Sequence, residues 1–539
     1  MFINRLIVDL TLKIDGKSYK IESGNIKNLD LKLSAYGYEA TLDWWKICLN
    51  KSSEDTIKAA FMKNSLIEVT MSIDRFFDKG GEAAAPIKLK GIVTTKRFHA
   101  RAFEDVSGEP VLHRHYFISF KDPASVLWGQ HFPCDLYTKK SVKDLIEDHK
   151  TSNFLLSYAC TPMTTKHPFL FLGLGQKESS ASFYDFVIWY LKSENAGMYY
   201  NGTKNTYTLT TKKDTSAKIK DFPVADADIV NIEFTETPRY SVNVLNSYAT
   251  KSTTEKVANK DEVKGIRKDI LIASPIASTS KSIKTNQTSK LVDEQPFLTI
   301  EYARYPTVDA LPGTIYLFNK SDWSKELYQS NKKFRLRELR LLAEAESQLG
   351  TDDADEDSNS YKIQLTSVLE EKEEVHHPLP EFVTPYWPAK VEGKIVSEIG
   401  KETEETYQLY EDDSKSLEQY HVEIPLWKKQ KIMVNHDPNL FPGHFYFPLY
   451  KDHRVLVDMS FKEAWIKRHL EWRAGAKLPN DKQANHILFG KNPKDSTSMV
   501  HAYKEKKPVF SITRLLDKDT QLIQVSEGEI LIETKENEK

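Results

Sequence analysis

Asp519-Thr-Gln-Leu-Ile-Gln-Val-Ser-Glu-Gly-Glu-Ile-Leu-Ile-Glu-Thr-Lys-Glu-Asn-Glu-Lys539 closes the sequence. Its apolar residues recur at period two, with Ile523 and Val525 before Gly528 and Ile530 and Ile532 after it. The pattern predicts a hairpin with one apolar face. A lone hairpin is marginal in water, so that face needs a complement. Fully burying an Ile or Val is worth roughly 1.5–3 kcal/mol. Two arrangements supply the burial: the hairpin folds back as an edge of its own domain, or identical tails wind round a shared axis. The second is the expectation here, an intertwined oligomeric β-stalk whose interface holds Ile523, Val525, Ile530 and Ile532.

Working outward, 539 residues suffice for roughly three or four domains, each with its own core. Aromatic residues at 11%, with 25 Tyr and 26 Phe, lean toward sheet. Acids and bases nearly cancel, 77 against 75. The chain therefore has no global field to hold nucleic acid or an anionic membrane. Cys48, Cys134 and Cys160 are too few and too scattered for a disulfide framework or a zinc knuckle, so reduced thiols are expected. The first residues break their apolar run with charges, and no segment reaches the roughly 18 apolar residues of a membrane helix. Synthesis and folding in the cytoplasm are expected, with export by other means.

Residues 1 to 130 read as short strands: Leu6–Ile14, Asn28–Leu33, Leu66–Ile73 and Tyr116–Phe120, with one helix over Asp55–Lys63. Gly80-Gly81 and the following Ala run read as a surface loop. Ser141 should cap a helix to His149, with Asp144 completing a capping box. Ser182 should cap a stronger helix, in which Phe183, Phe186, Val187, Tyr190 and Leu191 share a face and Gly197 marks the stop. A hairpin should follow around Asn201-Gly202. Residues 250–296, rich in Ser, Thr and Lys, read as a long and partly mobile connection. The run from Phe334 to Leu349 satisfies parts of both the helix and strand templates. Asp352–Asp357 packs five acids into six positions, a solvated loop. Beyond Pro385-Tyr-Trp-Pro388, short strands between prolines are predicted at 391–396, 406–410, 420–424, 454–457 and 466–472. Five is the count of a small Greek-key barrel.

The second half contains Pro388-Ala-Lys-Val-Glu-Gly-Lys-Ile-Val396, Val422-Glu-Ile-Pro-Leu-Trp427, Phe441-Pro-Gly-His-Phe-Tyr-Phe-Pro448, Val455-Leu-Val457, Trp472-Arg-Ala-Gly-Ala-Lys-Leu-Pro479 and Gln483-Ala-Asn-His-Ile-Leu-Phe-Gly490. In these motifs the chain resembles the VgrG-type spikes of contractile injection machines and the hub and spike proteins of contractile-tailed phages. The compact plan is most similar to spikes of extracellular particles of the antifeeding-prophage type. In the first half, Leu127-Trp-Gly-Gln130, Ser141–Leu145, the Ser182–Leu191 helix, its Glu194-Asn-Ala-Gly197 break and the Tyr199–Leu209 hairpin follow the same order of parts.

The resemblance implies a mainly β (α+β) fold: two hub β-barrel-like domains with a few helices, an OB-fold barrel and a C-terminal intertwined trimeric β-stalk. The expected divisions are 1–135 (first hub barrel), 136–385 (helical segment and second hub barrel), 386–479 (OB-fold domain) and 480–539 (stalk). It also implies that Phe334–Glu346 is a strand. A non-enzymatic homotrimer follows, in which two barrels per chain match the sixfold symmetry of an inner tube. Its partners would be the inner tube protein or a tube-initiator ring, baseplate proteins, a PAAR-type tip protein and effector cargo, with no nucleic acid and no cofactor. The assembly would be a phage tail-like particle, with release from the cell as one outcome. Two departures are visible: there is no room beside the barrel for a lysozyme domain, and the stalk is short. Alternative readings are a type VI secretion VgrG, a phage hub-spike with associated cell-wall hydrolase activity, and an OB-fold protein binding glycans or nucleic acid.

Other candidates for chemistry are weak. His113 and His115 alternate on one strand but lack a third ligand at metal spacing. His376 and His377 are adjacent, so extended backbone points them apart. Gly173-Leu-Gly175 lacks the third glycine of a dinucleotide loop. Asp412-Asp413 and Glu404-Glu405 lie in polar sequence where nothing would raise a carboxylate pKa. Trp427, Phe445, Tyr446 and Phe447, near Lys428, Lys429 and Lys431, could offer stacking platforms to a single strand or a sugar. Packing against neighbouring subunits is the expectation. No catalytic, cofactor or metal site is assigned.

Overall fold

The computed structural model describes residues 1–49, 54–76, 84–104, 110–274, 276–292, 294–404, 406–412, 417–436, 448–470, 485–492 and 495–536. The Gly80-Gly81 loop, Asp413, Glu405, the 441–447 and 472–479 motifs and Gln483-Ala484 lie outside them. The described chain forms two compact units. One comprises 1–133, 141–165 and 177–385, and the other 134–140, 166–176 and 386–539.

In the first unit, strand Phe2–Ile14 alternates so that Leu6, Val8, Leu10, Leu12 and Ile14 are buried. Each such side chain contributes roughly 1.5–3 kcal/mol of burial. Neighbouring strands repeat the pattern and pair in the order Lys333–Ala345, Ile26–Ser34, Gly37–Leu49, Pro110–Lys121, Ile87–Glu104, Ile67–Arg75, Phe2–Ile14 and Asn359–Glu371. The first and last of these also pair, from Phe334↔Glu371 to Ala345↔Tyr361, so eight strands close a barrel. The ambiguous run at 334–349 is thus a strand, as the resemblance implied. Its burial alternates from Leu339 to Ala345 after a bulge at Leu336–Glu338, whereas a helix there would spread its leucines over several faces.

Those two long strands belong to a second set as well. Phe297–Tyr302 and Ala227–Glu233 continue the sheet from one, and Ile315–Leu317 and Ile219–Asp221 from the other. The expected boundary at residue 135 therefore separates strands of one continuous sheet, since Phe2–Ile14 pairs not only with nearby strands but also with Asn359–Glu371. Residues 250–296 also differ from expectation. Ser241–Asn246 pairs with Thr253–Val257 and Arg267–Ile272, and helix Ala277–Lys290 packs on the first two strands. The composition concealed this because the helix has no apolar stripe and the strands bury only a few side chains, Val242, Val244 and Val257 among them.

The Ser141–Asp144 capping box forms, and Ser182 caps its helix in a second box, with Asp185. Helix Phe183–Ser193 buries the five predicted residues and Ile188 as well. Its left-handed terminal residue is Asn195, at φ 50°, and Gly197 instead begins the next strand. A Cβ there would lie 2.6 Å from His377 Nδ1, so Gly197 serves close approach. The predicted helix at 55–63 shrinks to Lys58–Phe61. Asp55 is buried, taking hydrogen bonds from Arg114 (2.9 Å) and Tyr116 (2.5 Å).

In the second unit, Ala389–Ile395, Arg454–Met459, Ala464–His469, Gln430–Asn435 and Leu417–Ile424 pair in turn, and the first pairs with the last through Lys394↔Glu423 and Ile395↔Val422. Five strands close a barrel around Ile395, Tyr420, Val422, Val434, Val455 and Val457. The expected strand at 406–410 is not one of them. Thr406 makes an isolated bridge to Tyr450, and Gln430–Asn435 takes the fifth place. Strands Cys134–Ser141 and Lys166–Gly173, expected within a hub domain, contribute residues to this unit, where Phe171 N–H donates to the Phe461 carbonyl at 2.9 Å.

Candidate functional site

The C-terminal residues form a five-stranded antiparallel meander: Asn485–Asn492, Asp495–Lys504, Lys507–Leu516, Asp519–Ser526 and Glu529–Lys535. Two-residue turns join the last four strands at Glu505-Lys506, Asp517-Lys518 and Glu527-Gly528. Each turn has a left-handed residue, with φ of 50° and 68° at Glu505 and Lys506, 53° at Asp517 and 71° at Gly528. Such turns suit the twist of paired strands and fix their register.

Directly opposed residues of antiparallel strands share a face. Ile523 opposes Ile532, and Val525 opposes Ile530, so the four residues predicted from sequence lie together. Across the sheet the first row continues as Ile487, Met499, Ile512, Ile523 and Ile532. The second adds Phe510 beside Val525 and Ile530. In the single chain this face is open: Ile523 and Val525 are 45% and 44% exposed, and Ile530 and Ile532 are 71% and 74% exposed. The hairpin thus forms the edge of a sheet without covering its apolar face, and most of the available burial energy is unrealised. Sequence reading missed Ile487, Met499, Phe510 and Ile512. The signal was present in Phe510-Ser-Ile512, the same period-two spacing, but Ser and Thr diluted it.

The remaining sequence candidates are placed elsewhere, each with a local partner. His115 Nε2 lies 2.5 Å from Asp43 Oδ2, and its ring stacks on Trp45 with centroids 4.3 Å apart. His113 sits at the edge of the same Trp45 ring. His376 and His377 point apart, as expected. His376 Nδ1 meets Glu374 Oε1 at 2.7 Å, whereas Tyr199 Oη lies 2.8 Å from His377 Nδ1 and the Thr211 carbonyl 3.3 Å from its Nε2. Because that carbonyl can only accept, Nε2 carries the proton and Nδ1 accepts from Tyr199. Burial, reinforced by nearby Lys213, lowers the His377 pKa to about 4. Burial alone would raise Glu374, but donors from the His376 ring and the Gln295 and His376 amides outweigh it and hold the carboxylate at about 2. No group of three or more metal-ligating side chains gathers among the described residues.

Trp427 is engaged within its own unit. Its Nε1 donates to the Cys134 carbonyl at 3.0 Å, and its ring meets Phe171 edge-on at 5.6 Å. Phe445, Tyr446 and Phe447 lie outside the described residues. Gly173 ends strand Lys166–Gly173 and opens no helix, and Asp412 ends a short strand. Sequence reading did not foresee the buried triad in which Glu370 Oε1 accepts from Lys213 (2.8 Å) and Arg335 (3.1 Å).

An eight-stranded barrel that shares two strands with a further sheet, a small closed barrel and an open terminal meander define a modular β-protein whose distinctive surface lies on its last five strands. Among solved structures, that plan is found in PdpA–VgrG complexes. The chain is similar to one from the Francisella complex in its lidded form, with a TM-score of 0.72 and 14% identity over 99% of this chain and 80% of that one. It is also similar to one from the lidless PdpA–VgrG complex, with a TM-score of 0.70 and 13% identity over 99% of each chain. The VgrG-like fold expected from the motifs is thus met over the whole chain. No family model matches the sequence, and no curated protein does.

Proposed function

We propose that the protein is the central hub and spike of a contractile injection system, a homotrimer that joins the inner tube to the puncturing tip. The observation that carries this reading is the eight-residue apolar face of the terminal meander, open in one chain and spaced for burial by sister copies. The whole-length VgrG-like fold supports it. Three meanders closing face to face would give a stiff stalk beyond a small barrel of OB type, and the eight-stranded barrel with the sheet that shares two of its strands would surround the same threefold axis. Force from a contracting sheath would pass through packed sheet. A PAAR-type protein would cap the stalk, while tube, baseplate and cargo proteins would meet the hub.

The deciding measurement is the solution mass of the full chain and of a truncation lacking residues 490–539. A trimer that falls to monomer on truncation is expected. A stable, folded full-length monomer at micromolar concentration would sink the proposal. The reading is non-enzymatic, and release of soluble fragments from purified peptidoglycan would favour a hub-associated hydrolase instead.

A further inference from the structure

Residues 241–290, the three-stranded sheet and its helix, contain nine Lys and Arg against four Asp and Glu, a net of +5 in a chain of net −2. All four acids are engaged inside the module, in the pairs Lys256–Glu262, Lys260–Asp261, Arg267–Asp269 and Lys284–Glu255. Lys251, Lys264, Lys268, Lys281 and Lys290 remain as excess positive charge, all of them exposed. Like charges also crowd one another, because burial and then the neighbouring Lys192 and Lys268 lower the Lys290 pKa. Exposed Val263, Ile266 and Leu271 lie in the same module. A basic surface with apolar residues set into it is suited to an acidic protein face.

The same chain presents such a face. Residues 352–357 hold five exposed acids beside exposed Leu349, of which Asp355 pairs with Lys46 of its own chain and the other four make the excess negative charge. The two features lie at opposite ends of one strand pair. The module departs and returns where Glu233↔Phe297 and Leu298↔Leu369 pair, near the Phe334↔Glu371 end. The acidic turn follows the Ala345↔Tyr361 end. Thirteen residues of strand separate them, about 40 Å at roughly 3.3 Å per residue. One chain's turn is therefore out of reach of its own module. Complementary surfaces at opposite ends of a protomer are what a closed head-to-tail ring requires.

We propose that the basic module of one protomer docks onto the acidic turn 352–357 of the next copy around the ring. This contact rests on the trimer reading and adds a hub interface distinct from the stalk. The contact is electrostatic and salt-sensitive, whereas the stalk is apolar and salt-tolerant.

The test uses full-length protein in low salt. Trimers assembled from mixed heavy- and light-isotope chains are treated with a zero-length carbodiimide cross-linker. Links between an acid of 352–357 and a lysine of 241–290 should join heavy to light peptides. In parallel, Lys264→Glu/Lys268→Glu/Lys281→Glu and Asp353→Lys/Glu356→Lys/Asp357→Lys should each raise the trimer dissociation constant at least tenfold. Combined in one chain, they should restore it to within about threefold of the parent. A trimer that yields no such inter-copy link, or in which the two reversals add instead of cancelling, overturns the contact and leaves the trimer reading standing. A parent chain that stays monomeric removes both.

Discussion

Glu370 shows how little freedom single residues have in the first unit. Its carboxylate is almost wholly buried and sets one negative charge between Lys213 and Arg335, themselves buried. Removing one member of a buried ionic group costs about 3–5 kcal/mol because uncompensated charge stays inside. Glu370→Gln should therefore lower the unfolding free energy by about that amount, read from urea denaturation, and a loss below about 1 kcal/mol would show that water reaches the triad. His377 and Glu374 set the acid response. His377 has a pKa lowered from 6.5 to about 4, so between these values the unfolded chain binds a proton that the folded chain refuses. Stability must fall as pH drops through that window. Glu374, lowered from 4.5 to about 2, contributes stability above 4.5 that is lost as pH falls toward 2. His376 works oppositely: its pKa is raised, chiefly by Glu374, so its contribution is full below 6.5 and disappears as pH rises through the folded value. His377→Gln should flatten the pH dependence of the urea midpoint between about 6.5 and 4, and an unchanged slope would assign the effect to other groups.

Elements succeed or fail here by close approach and by exposed faces. Strand Gly197–Asn201 begins against His377, and a Cβ at Gly197 would fall 2.6 Å from its ring nitrogen. Gly197→Ala should cost about 1–3 kcal/mol through forced displacement of that ring. A melting temperature equal to the parent's would show that the ring moves freely. The terminal hairpin behaves differently, since Ile530 and Ile532 are mostly exposed in one chain. Ile530→Asp/Ile532→Asp should leave the midpoint of the first-unit unfolding transition unchanged while abolishing the trimer by sedimentation. If the trimer persists, the stalk face is not its interface.

At the scale of the whole molecule, legibility tracked sequence distance. The helices at 142–148 and 183–193, with their capping boxes, were readable because each box closes within three residues and each apolar face repeats within two turns. The shared face of Ile523, Val525, Ile530 and Ile532 was readable because their hairpin is local. The division of the chain was not, because Phe2–Ile14 pairs with Asn359–Glu371 and no periodicity records a partner so far away. Residues 250–296, which hold most of that module, were read as a connection because its strands show too little apolar alternation to compete with the Ser, Thr and Lys content. The fifth strand of the small barrel was misplaced from 406–410 to its true position at 430–435 for a related reason. Tyr407 and Leu409 alternate with polar residues, whereas Ile432-Met-Val434 is an unbroken apolar run, and only closure of the ring selects between them.

Local patterning in the sequence determined many of the strands, the two capped helices and where they start, and which face of the terminal hairpin is apolar, because each of these is set by side chains a few positions apart. Tertiary structure alone decided that two long strands serve two strand sets, that residues 134–140 and 166–176 belong with the small barrel, and that the hairpin face stays uncovered in one chain. Those outcomes depend on which backbone edges and apolar surfaces meet after folding, a competition among distant segments that a local pattern does not encode.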